Sequence, residues 1–477
     1  MAWRQCPKRL WLEIARPELI VWAPSTQQSF AMGHQVGAVA RDLQPGGILV
    51  DPPTLGQALR ETARQLSRRG DLTLFEATFS HGGVLVRADL LLRQAGVARM
   101  IEVKSSTQVR QHHIDDIAVQ TWVVRGAGVP LERVALSCID RDFVYGGDGD
   151  YLGLLRETDV TAQVDELVAQ VPDWIEGCRA TVDGEQPEQG PWGGCTEPYS
   201  CPFIELCADG RPDYPVSLLP HGREQAAALL SAGYDDLCLV PDTVPDALAF
   251  STLQRRVWQA TRTGRAHYDA PAAAHLAALP FPRFYLDFET MQAAVPVWAG
   301  TRPWEQLPFQ WSCHIERAPG ELEHREFLDT SGDAPMRSCA DTLIAALGAE
   351  GPVFVYSGFE QAVLAGLAAR FPDLRRPLAA IGDRLVDLLP VTRAAWYHPA
   401  MRGSWSIKDV LPTVAPELDY ADLGEVHDGT AAQLAFAEAV HHDTSPERAD
   451  ELARGLLAYC AQDTLALVRL RRFLSGE

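Results

Sequence analysis

Three runs, LTLFEATF (residues 72–79), GVLVRADLLL (83–92) and ARMIEVKSS (98–106), alternate apolar and polar residues and are separated by glycine-containing turns. A period of two marks strands with one face toward a core. HHIDDIAVQTWVVRGAG (112–128) then presents an apolar helical face closed by glycine, and ERVALSCID (132–140) returns to strand. Outward from this nucleus, residues 29–44 and 55–69 read as helices upstream, and residues 161–181 as a helix downstream. A Gly/Pro-rich segment bearing cysteines, 184–213, follows. Strands interleaved with helices define an α/β class with a short mixed sheet.

Residues 216–275 (GREQAAALLSAGY, STLQRRVWQATRTG) read as mainly helical, and we expect 214–279 to be a helical connector. A second α/β unit is expected over 280–477. It opens with RFYLDFET (283–290), includes GPVFVYSGF (351–359) and closes with one helix over 447–474. The first unit then spans 1–213, and no repeat or low-complexity tract interrupts the chain.

Composition narrows the function classes. A chain of 477 residues with 47% hydrophobic and 22% charged content suits two or three packed domains. No apolar run reaches the roughly 18 residues of a membrane span, and MAWRQCPKRLWLE lacks the apolar stretch of a signal peptide. A cytoplasmic protein is expected, so the ten cysteines do not read as a disulfide framework, and a subset of them are candidate metal or cluster ligands. The net charge of −21 opposes polyanions, but residues 1–125 hold 15 Lys+Arg against 11 Asp+Glu. Only three of the 42 basic residues are lysines: Lys8 in CPKRLW beside Cys6, Lys104 in Glu102-Val103-Lys104, and Lys408 in Gly403-Ser404-Trp405-Ser406-Ile407-Lys408.

Alternation places Glu102 and Lys104 on one face of a strand, and a hairpin partner brings Asp89 to that face. Two carboxylates hold a divalent cation, and a lysine beside them orients or activates water. Ala88-Asp89 followed by Glu102-Val103-Lys104 resembles the PD-(D/E)XK nuclease superfamily. The likeness is strongest to its RecB-type branch, which includes CRISPR-associated iron–sulfur exonucleases and the AddB helicase–nuclease. That resemblance implies His34, in Gly33-His34-Gln35-Val36-Gly37, as a further metal ligand, and Gln120 as a DNA contact. The branch carries a tyrosine four residues beyond that glutamine, where this chain has Val124. Glu76 on the preceding strand either assists or is a surface carboxylate.

Cys195, Cys201 and Cys207 recur every six residues, and Cys6 lies near the N-terminus. The RecB-like iron–sulfur nucleases likewise place one cysteine before the nuclease core and three after it. The resemblance implies a [4Fe–4S] cluster on Cys6, Cys195, Cys201 and Cys207. Zn²⁺ is the alternative for four thiolates. The remaining cysteines, Cys460 among them, read as packing residues.

In the second half, Asp287 and Glu289 share one face of an otherwise apolar strand, a costly placement without a neutralising cation. Tyr459 and Asp463, four apart, share a face of the C-terminal helix. The Asp-x-Glu and Tyr-x-x-x-Asp motifs resemble the DEDD exonucleases of the ribonuclease H-like fold. That likeness implies a middle carboxylate, for which Glu360 in Tyr356-Ser357-Gly358-Phe359-Glu360 and Asp387 in RLVDLLPV are alternatives. It also implies a phosphate contact by Lys408. Tyr459 is expected to orient water, with Asp463 completing the metal shell.

The expected architecture is an N-terminal PD-(D/E)XK restriction-endonuclease-like domain, a helical connector and a C-terminal ribonuclease H-like domain. The expected activity is Mg²⁺- or Mn²⁺-dependent hydrolysis of DNA, at single strands or ends, in DNA repair or antiviral defence. RNA as substrate, and a nucleic-acid-binding scaffold with degenerate centres, are the alternatives. No membrane partner is expected.

Overall fold

The computed structural model describes residues 1–188, 195–208 and 212–477, except the side chains of residues 421 and 422. The expected cysteine-bearing segment 184–213 is therefore described in part, with all three of its cysteines inside the described residues. The chain is mixed α/β and divides into two compact units, Met1–Asp209 with Gln292–Glu305, and Gly210–Met291 with Gln306–Glu477. Among the described residues no helix is long and apolar enough to cross a membrane.

The first unit is built on a six-stranded sheet in sequence order: β1 (Ile48–Leu49), β2 (Leu72–His81), β3 (Val84–Gln94), β4 (Val97–Lys104), β5 (Leu131–Ile139) and β6 (Leu155–Asp159). The pairs β1–β2 and β4–β5 are parallel, and the others are antiparallel. Alternation along β3 and β4 sends Leu91 and Met100 into a core shared with Ile117 of the Gln111–Gly126 helix. Leu90, Leu92 and Ile101 face the other way, with Phe75 and with Ala40 of the Pro24–Asp42 helix. Helices thus cover both faces of the strands that the sequence singled out. The helix expected over 161–181 is two, Thr161–Val168 and Val171–Asp183, the second opening with Pro172 in its first turn. Residues 292–305 also belong to this unit. Tyr151 Oη donates to Pro296 O at 3.0 Å, and Val295 packs with Val36 and Leu154.

The second unit holds a five-stranded sheet. Its strands are β8 (Arg283–Met291), β9 (Leu307–Ala318), β10 (Glu321–Leu328), β11 (Val353–Val355) and β12 (Leu385–Asp387), in the order β10-β9-β8-β11-β12. The β10–β9–β8 part is antiparallel, and β11 runs parallel to both β8 and β12. A two-residue ladder pairs β7 (His267–Tyr268) with β13 (Trp396–Tyr397). The 30-residue helix Pro446–Ser475 lies over β8 and β9.

The stretch expected as a connector is part of this second unit. Its helices Arg223–Ser231 and Thr252–Thr263 send Leu229 and Val257 into the same core as Tyr285, Phe354 and Leu467. A buried polar group fixes the long helix on the sheet: Arg471 Nε donates to Tyr285 Oη at 3.0 Å, and its Nη2 lies 3.1 Å from Glu316 Oε2.

Candidate active site

In the first unit, the β3–β4 ladder pairs Leu90 with Ile101, so Asp89 and Glu102 stand at the next step on neighbouring strands. Asp89 Oδ2 accepts from the Val103 amide at 2.7 Å. Burial, then the Glu102 charge, pushes the Asp89 carboxyl well above its ordinary range. Glu102 is raised by burial too, against the pull of Lys104. Its Oε2 is buried without a hydrogen-bond partner, while Oε1 receives Lys104 Nζ at 2.9 Å. Burial works against the charge on Lys104, but Glu102 and Asp116 outweigh it and hold the ammonium protonated.

Asp116 is a residue that the motif reading passed over. Its Oδ2 lies 2.9 Å from Lys104 Nζ. A signal for it existed: it stands four residues before Gln120, on the same helical face. Gln120 is buried and opposes the rise of the Glu102 pKa. Val124 is buried in the core, so the helix offers no hydroxyl there. Glu76 has a φ of 55°, stands outside the β2–β3 pairing between Phe75 and Ala77 without shifting its register, and adds its charge to the field at Asp89. His34 is exposed on its helix, and no hydrogen bond joins it to the carboxylates.

The four expected cluster cysteines are half-buried and none is in a disulfide. The Cys201 amide donates to Cys195 O at 2.8 Å, and the Cys207 amide to Phe203 O at 2.9 Å. Burial raises the Cys201 thiol, and Cys195 and Cys207 raise it further, so these three sulfurs share one neighbourhood. Cys6 is the N-cap of Pro7–Ala15, and the adjacent Gln5 side chain donates to Tyr199 O at 2.7 Å, tying that end to the cysteine loop. Cys6, Cys195, Cys201 and Cys207 do not form a group at metal-ligand spacing among the described residues.

The second unit gathers a denser group. Asp287 and Glu289 project from β8, Glu360 from the first turn of Phe359–Arg370, and Tyr459 and Asp463 from the long C-terminal helix. All five line a cavity of about 190 Å³ together with Lys408 and Tyr356. Glu289 is 7%, Glu360 3% and Asp463 9% exposed. Burial, followed by the charge of a neighbouring carboxylate, lifts Asp287, Glu289 and Glu360 well above the ordinary carboxylate range. Asp463, raised by burial and relieved by Tyr420 and Lys408, sits at about 6.

Glu360 is within hydrogen-bonding reach of Asp287, and its Oε2 is buried with no partner. Asp387 is engaged elsewhere: Oδ1 accepts the amides of Ser357 and Leu389, each at 2.8 Å, capping the helix Leu388–Ala395. Glu360 is therefore the carboxylate that joins the cavity. Lys408 Nζ donates to His427 O at 3.1 Å and stands 5.2 Å from the Tyr459 ring centre. Tyr420, which no pattern marked, donates its hydroxyl to Asp463 Oδ1 at 2.5 Å. Cys460, expected to be a packing residue, is buried beside Asp287 and Glu289.

A family model described as a domain of unknown function (DUF2779) matches residues 284–406, a span that includes Asp287, Glu289, Glu360 and Asp387 and ends before Lys408. No curated protein matches the chain. The crystal structure of SSO0001 aligns with 17% identity and a TM-score of 0.22, over 42% of this chain and 81% of that one.

Proposed function

We propose that the chain is a metal-dependent nuclease with a catalytic centre in each unit, acting on DNA. One observation carries the reading. Four carboxylates, from a strand and two helices, line one cavity, three of them buried and Asp287 half-buried, with a single lysine in the lining to offset them. Carboxylates so placed are costly as anions, and divalent cations neutralise them.

In the proposed architecture the second sheet is ribonuclease H-like, a reading supported by its antiparallel β10–β9–β8 part continued by parallel β11 and β12. The first sheet is PD-(D/E)XK-like, a reading supported by Asp89, Glu102 and Lys104 gathered on the central strands β3 and β4. Asp287, Glu289, Glu360 and Asp463 would hold Mg²⁺ or Mn²⁺ in the second unit; Asp89 and Glu102, with Glu76 nearby, would do so in the first. Divalent cations held there would supply Lewis-acid stabilisation of the charge that develops during an in-line displacement at phosphorus. Tyr459 orients the water against Asp463, and Lys408 receives a phosphate oxygen. Lys104, fixed between Glu102 and Asp116, presents its ammonium to the scissile phosphate. The cysteines would brace the first unit around a [4Fe–4S] cluster or Zn²⁺.

The test is digestion of end-labelled and end-blocked DNA with Mg²⁺ or Mn²⁺, beside matched RNA. Lys104→Ala and Asp287→Ala each remove part of the hydrolysis, and the double variant removes all of it. Undiminished hydrolysis by the double variant overturns both centres. Preference for the RNA strand replaces DNA as the substrate. Absence of any divalent-ion heat in calorimetry makes the chain a nucleic-acid-binding scaffold instead.

A further inference from the structure

The Cys460 sulfur and one carboxylate oxygen each from Asp287 and Glu289 lie within 4.8 Å of one another. A nuclease centre served by hard, oxygen-preferring cations has no use for that sulfur. We propose that Asp287, Glu289 and Cys460 form a thiophilic metal site of the zinc class, overlapping the hard-cation centre and blocking it when filled. The blocking rests on the nuclease reading; the metal site stands without it.

The placement is specific. Cys460 precedes Asp463 by one helical turn, and its thiol makes only a weak 3.9 Å contact to the Asp287 carbonyl oxygen. Cys313 and Cys339 are equally buried, yet neither belongs to a group at metal-ligand spacing among the described residues. An independent feature at the same place also asks for a cation. Glu360, 3% exposed and lining the cavity with Asp287 and Glu289, leaves Oε2 without a partner.

Ligand chemistry sets the preference. Mg²⁺ takes oxygen donors in a near-octahedral shell, whereas thiolate with carboxylate favours Zn²⁺ and its relatives in a four-coordinate one. Three protein ligands leave a fourth position for Glu360 or water. On binding, the Cys460 S–H bond breaks, a sulfur–metal bond forms and the proton leaves to solvent, with no change of oxidation state. Affinity therefore rises with pH.

Co²⁺ is the probe, titrated into the full chain with its N-terminal cysteine site already loaded. The expected result is a thiolate-to-cobalt charge-transfer band in the unsubstituted protein and in C313S, lost in C460S. The same band in C460S overturns the site. If circular dichroism shows C460S misfolded, E289Q decides, because it keeps the thiol and removes a ligand: a lost or weakened band supports the site, an unchanged one overturns it. The second readout uses K104A, in which only the second centre works. There Zn²⁺ inhibits Mg²⁺-dependent hydrolysis, and C460S relieves the inhibition; inhibition unchanged by C460S overturns the overlap. A cobalt band in a chain that hydrolyses nothing would refute the nuclease reading and leave the metal site standing.

Discussion

Asp463 converts burial into a measurable pH dependence. Its carboxyl sits at about 6 in the folded chain against 3.8 for the free side chain. Between those values the folded state holds a proton that the unfolded state has released. Raising the pH through this window therefore removes stability from the metal-free protein. Asp463→Asn cannot ionise. It should match the unsubstituted protein near pH 4 and melt at a higher temperature near pH 7, as calorimetry in chelator would show; equal melting at both pH values refutes the assignment. Adding Mg²⁺ at pH 7 reverses the order, because the cation binds only the folded carboxylates. Asp287, Glu289, Asp463, Glu102 and Lys104 were legible because strand and helix periodicity alone puts such residues on one face. Tyr420 was not: it reaches Asp463 from a short turn of 3₁₀ helix, and no sequence spacing encodes that approach.

At the scale of elements, Asp387 and Glu360 separate two roles that composition leaves equivalent. Asp387 caps a helix and also holds the amide of Ser357, a non-glycine residue at φ 103°, just ahead of the helix that carries Glu360. Asp387→Ala should cost about 1 kcal/mol in urea unfolding and preserve the calorimetric stoichiometry of Mn²⁺, whereas Glu360→Gln should weaken Mn²⁺ binding and leave the chain folded. The opposite pattern would return Asp387 to the metal shell. Arg471→Met, which removes one of the cations at buried Glu316 but leaves it Arg472 at 2.6 Å and the Tyr285 hydroxyl at 3.0 Å, should destabilise the second unit by about 2 kcal/mol in the same assay. The strands that were read, β2 to β5, β8 and β11, carry alternation or an apolar run between turn residues. The β9–β10 hairpin escaped because β9 is buried on nearly every residue and so shows no period of two, while β10 is a charged edge strand with little apolar signal.

At the scale of the molecule, the chain folds as two units that divide after Asp209, close to the break expected after residue 213, while two other segments take places that local patterning does not report. The 214–279 stretch looked like a connector because its helices carry no chemistry, yet Leu229 and Val257 enter the second core. Residues 292–305 belong to the first unit through contacts such as Tyr145 with Thr301, which only the folded chain brings together. A cofactor tied to one unit should then act on that unit alone. A group held by Cys6 and the cysteine loop, as proposed, would join the two ends of the first unit and resist unfolding in proportion to its affinity. Replacing Cys201 with Ser should lower the melting of the first unit by about 2–4 °C for each kcal/mol of binding lost, and should bleach the brown colour if the group is an iron–sulfur cluster. Divalent-ion binding at Asp287 in the second unit should persist in that variant, since none of its ligands comes from residues 1–209. Loss of Asp287-dependent Mn²⁺ heat on replacing Cys201 would show that the cysteines support the fold of both units, and would overturn the independence argued for the two centres.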